Sequence, residues 1–387
     1  MFDWLIPVLH LIAYVLIAFP LIAMLFITAF TIAAVFPGRR NPEATKNNRI
    51  AVIIPAHNES LLIGETVEVA LRQNYPEDAY CVFVIADNCT DDTAEIARKA
   101  GARVLERDSN PGKGQGLNDA LAILLKEDWE GFLIMDADSH LTSDALGEIN
   151  KHIDAGHGAY LIRYGTLNPA DSVRTRLFEM SLASFNALRP KGKTQLGFSA
   201  GINGNGFGFS RAIIEEVPYS AHSIVEDIEY HMLLLNAGHR VHFLDGPAVM
   251  AQMPTNAKDS EVQRVRWERG RALTIKNYAG SMWRLFFKGS RRGLDGLVDI
   301  YMPPASLIVI TSVIAMLLGD ELVMWIGGGI IGALILHYLI ASLKYGSFAG
   351  LVRIAFYVPW YLIWKTWIVA ASFVKDKNLP WIRTNRH

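Results

Sequence analysis

Three sets of acidic residues stand where their side chains could work together. Asp136 and Asp138 lie one residue apart at the end of the apolar run Leu133-Ile-Met135. Both carboxylates can then reach one oxygen-preferring cation, and Mg2+ or Mn2+ is usually held by one or two carboxylates plus a diphosphate. Asp87 ends a second apolar run and leads into Asn88-Cys-Thr-Asp-Asp92, while Glu59 closes Pro55-Ala-His-Asn-Glu59 behind a third. Glu226-Asp227 opens a helical pattern continued by Ile228, Met232 and Leu235. Each set also has a plainer reading: turns are rich in Asp, and helix N-termini favour acids through the dipole alone. Gly112-Lys113-Gly114-Gln115-Gly116 adds a cationic, glycine-rich loop ahead of a helix. It suits an anion, although it lacks the spacing of a P-loop. Its plainer reading is a glycine turn with a solvated lysine.

A sheet would bring these residues together. Arg49-Ile-Ala-Val-Ile-Ile54, Cys81–Ile85, Arg103–Leu105 and Gly131–Met135 read as strands. Helical patterns over Leu61–Arg72, Asp91–Ala100 and Gln115–Leu125 alternate with them. That alternation predicts a parallel α/β sheet, in which ligands bind at the carboxyl ends of the strands. The acidic clusters follow the first, second and fourth strands, so they gather on one rim. Carboxylates so placed repel one another unless a cation or hydrogen-bond donors compensate. His57, His222 and His231 lack metal-ligand spacing and read as structural, and Cys81 and Cys89 read as free thiols.

Hydrophobic residues make up 51% of the 387 positions and charged residues 19%. This is apolar for a soluble protein and too polar for one immersed in lipid throughout. The net charge of −1 supplies no basic field for nucleic acid. Residues 1–38 read as an N-terminal transmembrane anchor. The run Trp4–Phe36, interrupted by Pro20, exceeds the roughly 20 residues that span a bilayer and lacks the basic start of a signal peptide. Arg39, Arg40, Lys46 and Arg49 follow it, which places the next domain, 49–275, on the cytoplasmic side. Residues 276–300 read as an amphipathic interfacial segment, with Trp283, Leu285, Phe286 and Phe287 beside Arg284 and Lys288. Residues 301–375 form a C-terminal transmembrane region with Tyr301–Leu318, Leu322–Leu343 and Leu351–Val374 as spans, and 376–387 a basic tail. The third run contains Arg353, Pro359 and Lys365 and reads as a span or as a re-entrant or interfacial element. Three crossings put the tail outside, yet Lys375, Lys377, Arg383 and Arg386 favour the inside; the sequence leaves both topologies open.

In order along the chain stand Val-Ile-Ile-Pro-Ala-His-Asn-Glu59, Ala-Asp87-Asn, Gly-Lys113-Gly, Asp136-Ala-Asp138, Gly204-Asn-Gly-Phe-Gly-Phe-Ser-Arg211, Val-Glu226-Asp227 and Gln263-Arg-Val-Arg266-Trp267. This ordered set resembles the family 2 inverting glycosyltransferases, the group that includes cellulose, chitin and hyaluronan synthases. The likeness covers nearly all of residues 49–270. It implies an α/β domain of GT-A type, Rossmann-like with a mostly parallel sheet, flanked by N- and C-terminal transmembrane helices, and Mn2+ or Mg2+ as cofactor. It further implies that Pro55, Glu59, Asp87, Lys113 and Asp136 hold a nucleotide-sugar donor, Asp87 facing the uracil edge. Asp138 would ligate the metal, with Asp136 near the ribose or the ion's outer shell. Asp227 would be the general base beside Glu226. Gln263, Arg266, Trp267, Gly204 and Asn205 would line the diphosphate and acceptor site. Trp267 also reads as a core or membrane-interface tryptophan, although a flat ring stacks well on a sugar face. Val225 stands where many members have Thr, which removes one hydroxyl. The tail Trp381–Arg386 resembles that of many membrane-bound bacterial members.

The residue types suit the implied chemistry. Displacing a nucleoside diphosphate from a sugar carbon develops negative charge that a divalent ion and Arg266 can stabilise, while a carboxylate takes the acceptor proton. Single in-line displacement inverts the anomeric centre. The expected function is transfer of a sugar from a UDP-sugar to a lipid-linked or membrane-proximal glycan in cell-surface polysaccharide or glycolipid synthesis. The expected location is the bacterial inner membrane. Expected partners are donor, acceptor, membrane lipids and other polysaccharide-biosynthesis proteins, with no nucleic acid. Two alternatives stand beside it. A processive polysaccharide synthase coupled to export fits Gln-x-x-Arg-Trp but has few membrane segments for a channel. A catalytically silent membrane binding subunit fits poorly with intact Asp138 and Asp227.

Overall fold

The computed structural model describes residues 4–38, 42–221, 223, 225–254 and 257–374, with the backbone alone for 257–267 and 369–374. Arg39, Arg40, His222 and the tail motif Trp381–Arg386 therefore lie outside the described residues. In chain order the elements begin α1 (Leu5–Val35), β1 (Ile50–Ala56), α2 (Ile63–Ala70), β2 (Tyr80–Asp87), α3 (Thr93–Lys99), β3 (Arg103–Arg107), α4 (Lys113–Leu124) and β4 (Gly131–Ile134). Next come β5 (Ser139–Leu141), α5 (Ala145–Asp154), β6 (Ala159–Thr166), α6 (Val173–Ala183), α7 (Arg189–Gln195), β7 (Phe207–Ser210), α8 (Arg211–Glu216), α9 (Glu226–Ala237) and β8 (Val241–Ala251). The chain continues through α10 (Ala257–Phe287), α11 (Arg291–Tyr301), α12 (Ala305–Leu318), α13 (Glu321–Tyr345), α14 (Phe348–Ile354) and α15 (Val358–Val374).

The central strands are apolar on both faces because helices cover both. Ala51 and Ile53 of β1 join Leu117 and Leu121 of α4 on one side. Ile50, Val52 and Ile54 join Ile63 and Val67 of α2 and Leu146 of α5 on the other. A strand buried on two faces reads as a continuous apolar run, which is why β1, β2 and β4 were visible in the sequence. The eight strands run β3-β2-β1-β4-β7-β6-β8-β5. The β1–β2, β1–β4, β2–β3 and β6–β8 pairings are parallel. The β4–β7, β5–β8 and β6–β7 pairings are antiparallel, so the sheet is mixed rather than uniformly parallel. The reversal at β7 places the turn Gly204–Gly206 beside the end of β4, where Asp136 follows. There the Gly206 N–H donates to the Ile134 carbonyl at 3.1 Å.

Among the described residues two helices, α1 of 31 residues and α13 of 25, are long and apolar enough to cross a membrane. α1 runs unbroken through Pro20. It lies alongside α13 in the same direction: Tyr14 Oη donates to Asp320 Oδ2 at 2.8 Å, and Lys344 Nζ donates to the Ala34 carbonyl at 2.8 Å. Between these contacts His337 of α13 has Nδ1 2.6 Å from Thr31 Oγ1 and Nε2 2.7 Å from Ser184 Oγ, linking both long helices to the segment after α6. The expected span Tyr301–Leu318 is broken. Tyr301 closes α11, the chain passes Met302-Pro303-Pro304, and α12 leaves at 78° to α11 with 14 residues of its own. Proline lacks the N–H that would continue a helix, which accounts for the break. The run Leu351–Val374 is also interrupted, by a 3-10 turn at Ala355–Tyr357. The segment 276–300, read as an amphipathic interfacial element, takes in the last turns of α10 and most of α11. Met282 there is buried against Met232 and Leu235, while Trp283, Phe286 and Phe287 stay exposed and pack on one another.

Candidate active site

The turns after β1 and β2 hold each other. Asn58 adopts φ 54°, a left-handed conformation that Asn tolerates, and its Oδ1 accepts from the Thr90 N–H at 2.7 Å. The Glu59 N–H donates to Thr93 Oγ1 at 2.8 Å, and His57 Nδ1 lies 2.7 Å from the Asp87 carbonyl. Pro55 remains inside β1, opposite Ile85. Glu59 and Asp87 thus share one edge of the rim. Asp87 was expected to face a base, yet both its oxygens already take protein donors: Oδ1 from Arg107 and Asn88, Oδ2 from the Gly112 N–H at 2.8 Å. Arg107 also donates to Asp119 at 2.8 Å and is almost fully buried. Sequence reasoning missed it. The signal was its place at the end of β3, in register with Asp87.

Lys113 is the hub of the opposite edge. Gly112 precedes it at φ 146°, a conformation glycine accommodates, and this turns the chain into α4. The Lys113 Nζ donates to Asp136 Oδ1 at 2.7 Å and to the Gly204 carbonyl at 2.6 Å, and lies 3.9 Å from Glu226 Oε1. Burial opposes its charge, but Asp136 and Glu226 outweigh that and hold the ammonium above the ordinary lysine value. Asn205 was expected beside the diphosphate. Its side chain is instead buried, accepting the Asp136 N–H at 3.1 Å and donating to Ser139 Oγ at 2.8 Å. Ser139 Oγ in turn donates to Asp138 Oδ1 at 3.2 Å. Asn205 therefore positions the Asp-x-Asp pair from beneath.

Gly204 passes close to the second acid pair. It has φ 74°, and a Cβ there would stand 3.4 Å from Asp227 Oδ2. Glu226 and Asp227 begin α9, which ends at Gly238 in the left-handed conformation. Burial first, and Glu226 second, push the Asp227 carboxyl up to about 7, against the Ile228 N–H and the charge of Lys113. Lys113, Asp136, Gly204, Glu226 and Asp227 are thus brought into one cluster. Gln263, Arg266 and Trp267 lie on α10, and their side chains are outside the described residues. The helix itself is anchored close by, because Gly270 packs on Val225.

Among the described residues no group of three or more His, Cys, Asp or Glu converges as a closed metal site. Asp136 and Asp138 still fit a divalent cation: two hard carboxylate oxygen donors follow one strand end, the number that Mg2+ sites take when a diphosphate completes the shell. Lys113 neutralises one oxygen of Asp136, and Asp138 Oδ1 accepts from Ser139 Oγ.

The model of a family described as glycosyltransferase like family 2 matches residues 47–270, more than half of the chain and all of the cluster above. The chain belongs to glycosyltransferase family 2. This glycosyltransferase is 26% identical over 330 residues to the cellulose synthase catalytic subunit (UDP-forming) of Pseudomonas fluorescens, covering 76% of the chain and 43% of that protein. It is 26% identical over 274 residues to the beta-monoglucosyldiacylglycerol synthase of a Nostoc species, covering 67% of the chain and 57% of that protein. The chain thus spans about half the length of these curated relatives. Among solved structures it is similar to the mannosyltransferase PcManGT of Pyrobaculum calidifontis, in complex with GDP-Man and Mn2+. The TM-score is 0.59 at 19% identity, over 95% of this chain and 98% of that one. That likeness confirms the GT-A fold.

Proposed function

We propose that this family 2 glycosyltransferase is an inverting, divalent-metal-dependent enzyme. It would move a sugar from a UDP-sugar to a lipid-linked or membrane-proximal glycan acceptor. The observation that carries this reading is the nearness of Gly204 to Asp227: the turn bound to Lys113 and Asp136 passes so close to the acid at the start of α9 that a methyl group on Gly204 would reach it. Asp138, with Asp136 beside it, would hold the ion, which when bound neutralises charge on the departing diphosphate. Lys113 binds the anionic donor on the same side. Asp227 takes the proton of the acceptor hydroxyl as its oxygen bonds to the anomeric carbon and the bond to the diphosphate breaks. The bonding electrons leave with the nucleoside diphosphate. A base held near neutrality suits that transfer.

The two long apolar helices and the exposed Trp283, Phe286 and Phe287 support a membrane site of action, with the domain on the cytoplasmic face of a bacterial inner membrane. The relative named as a beta-monoglucosyldiacylglycerol synthase supports a lipid acceptor, and the UDP-forming relative supports a uridine donor. The donor GDP-Man of the solved neighbour makes the base a point for direct test. A panel of nucleotide sugars, scored by released nucleoside diphosphate with Mn2+, Mg2+ or chelator, decides it. Turnover that survives chelation would sink the metal assignment. A second reading, a processive synthase, draws on the likeness to cellulose synthase. Long polymer made from donor alone by purified protein would establish it in place of limited transfer.

A further inference from the structure

A cavity of about 60 Å3 lies against α9, lined there by Ile228, the residue after Asp227, and by His231. Ile228 of α9, Asn203, Arg189 and Lys193 of α7, Arg271 of α10 and Asp299 of α11 are among the residues that line it. It is far below the roughly 300 Å3 that a drug-sized or nucleoside ligand needs, so it suits a small group. Its charges do not balance internally. Lys193 pairs with Asp299 Oδ1 and, at 3.3 Å, with Asp295 Oδ1 behind it, while Asp299 Oδ2 has no hydrogen-bond partner among the described residues. His231 lies 3.5 Å from Asp299 and 2.8 Å from Ser199 Oγ, and burial holds it down to about 4, hence uncharged.

Arg189 and Arg271 have no such partner. Among the described residues neither guanidinium has a carboxylate within ion-pair distance, and the buried Nε of Arg189 has no hydrogen-bond partner. The Phe185 ring covers one face of Arg189, 4.9 Å from its centroid, which leaves the N–H edge for a ligand. Burial, and then the repulsion of Arg271 acting against Asp299, depress the charged form of Arg189. Two half-buried guanidinium groups facing one cavity without a paired carboxylate are costly, and an anion between them removes the cost. Guanidinium forks match phosphate oxygens in geometry.

The cavity wall points to the source of that anion. Phe185 and Arg189 follow from a π-helical segment, Ser184–Leu188, inserted between α6 and α7. Such insertions re-aim side chains and recur at functional sites. Ser184 in the same segment is bonded to His337 of the apolar helix α13, and Phe185 is 43% exposed. A head group in this cavity would therefore sit one residue from Asp227 with its tails beside the long helices.

We propose that Arg189 and Arg271 bind the phosphate ester of a membrane-lipid acceptor and so hold its hydroxyl against Asp227. This rests on the glycosyltransferase reading above and names the acceptor's chemistry. The test uses the full chain in a neutral polyether detergent and follows thermal unfolding by tryptophan fluorescence. Phosphatidic acid, diacylglycerol with the same tails, and inorganic phosphate are compared. Phosphatidic acid is expected to raise Tm by several degrees, while diacylglycerol and inorganic phosphate at equal concentration do not. Arg189→Gln and Arg271→Gln are each expected to weaken the phosphatidic acid response at least 10-fold in midpoint concentration, with Arg189→Lys intermediate. An equal response to diacylglycerol overturns the anion site, as does a full response in both Gln variants. An equal response to inorganic phosphate overturns the lipid source. The lipid comparison on unaltered protein needs no variant to fold. Stabilisation by UDP with Mn2+ is read in the same samples and is expected to persist in both variants. Its absence from the unaltered protein counts against the donor reading and leaves the lipid result standing.

Discussion

Val225 fills the space that a side chain on Gly270 would need: a Cβ there would lie 2.0 Å from Val225 Cγ1. The helix that carries Gln263, Arg266 and Trp267 is thereby seated on the residue immediately before Glu226-Asp227. This also gives a use to the valine that departs from the family's threonine. Val225 is buried, and its methyl groups fill the notch that Gly270 leaves open.

Gly270→Ala should therefore displace α10. In an open helix Ala would stabilise by about 1 kcal/mol, but overpacking of about 1–3 kcal/mol opposes it and wins at this distance. Turnover is expected to fall at least about 10-fold, as expected when positioning is lost. Val225→Ala in the same chain should restore most of it, because it reopens the notch. A double-mutant cycle on kcat checks this; additive losses would show that the two residues act separately.

Asp227→Asn should cost at least about 100-fold in kcat, the scale of a lost general base. In the unaltered enzyme the base must be ionised, so kcat/KM should decline as pH falls below about 7. A profile flat down to pH 5 would remove Asp227 from that role.

Lys113→Gln tests the hub. The charge of Lys113 holds the Asp227 carboxyl down, so its loss raises that group further and moves the acid limb to higher pH. KM for the donor should rise as well, since Asp136 and the Gly204 carbonyl lose their shared donor. An unchanged limb would mean that the two sites do not communicate.

A stability prediction concerns His152, His157 and His242, whose rings contact one another with centroids 4.7, 5.4 and 4.8 Å apart. Burial, and then the neighbouring imidazoles, hold His152 down to about 3; burial, His157 and Arg240 hold His242 down to about 4. A histidine depressed in the folded state contributes stability fully above its unfolded value near 6.5, and the contribution is lost as pH falls through the folded value. Unfolding free energy should therefore drop between pH 6.5 and pH 4, by on the order of 3 kcal/mol. His242→Phe should flatten the decline in a Tm-against-pH series.

Much of the catalytic half could be read from the chain. Strands β1, β2 and β4 showed themselves because helices bury both their faces, and Asp87, Asp136 and Asp138 follow strands whose order brings their ends together. The antiparallel half was harder. β7 starts within the glycine-rich stretch Gly204–Gly208, and β8 is interrupted by the exposed Asp245-Gly246 where its pairing with β6 shifts register. Arg107, Arg189 and Arg271 escaped notice because an arginine is informative only beside its partner. Arg189 and Arg271 come from different helices, and no local pattern marks them. The break at Pro303-Pro304 was legible in residue type, but hydropathy alone ran through it.

The contact between α1 and α7 has a bearing on how such an enzyme can be handled. Gly192 lacks a side chain where the Phe30 backbone enters, since a Cβ there would stand 1.9 Å from the Phe30 carbonyl oxygen. Two residues earlier in the same helix, Pro190 forms part of the cavity lined by Arg189. The first helix therefore braces the helix that lines this cavity, as well as mooring the chain. Trimming it to obtain a soluble fragment would withdraw that brace from α7, so preparations that keep the lipid-facing helices are the form in which this support stays intact.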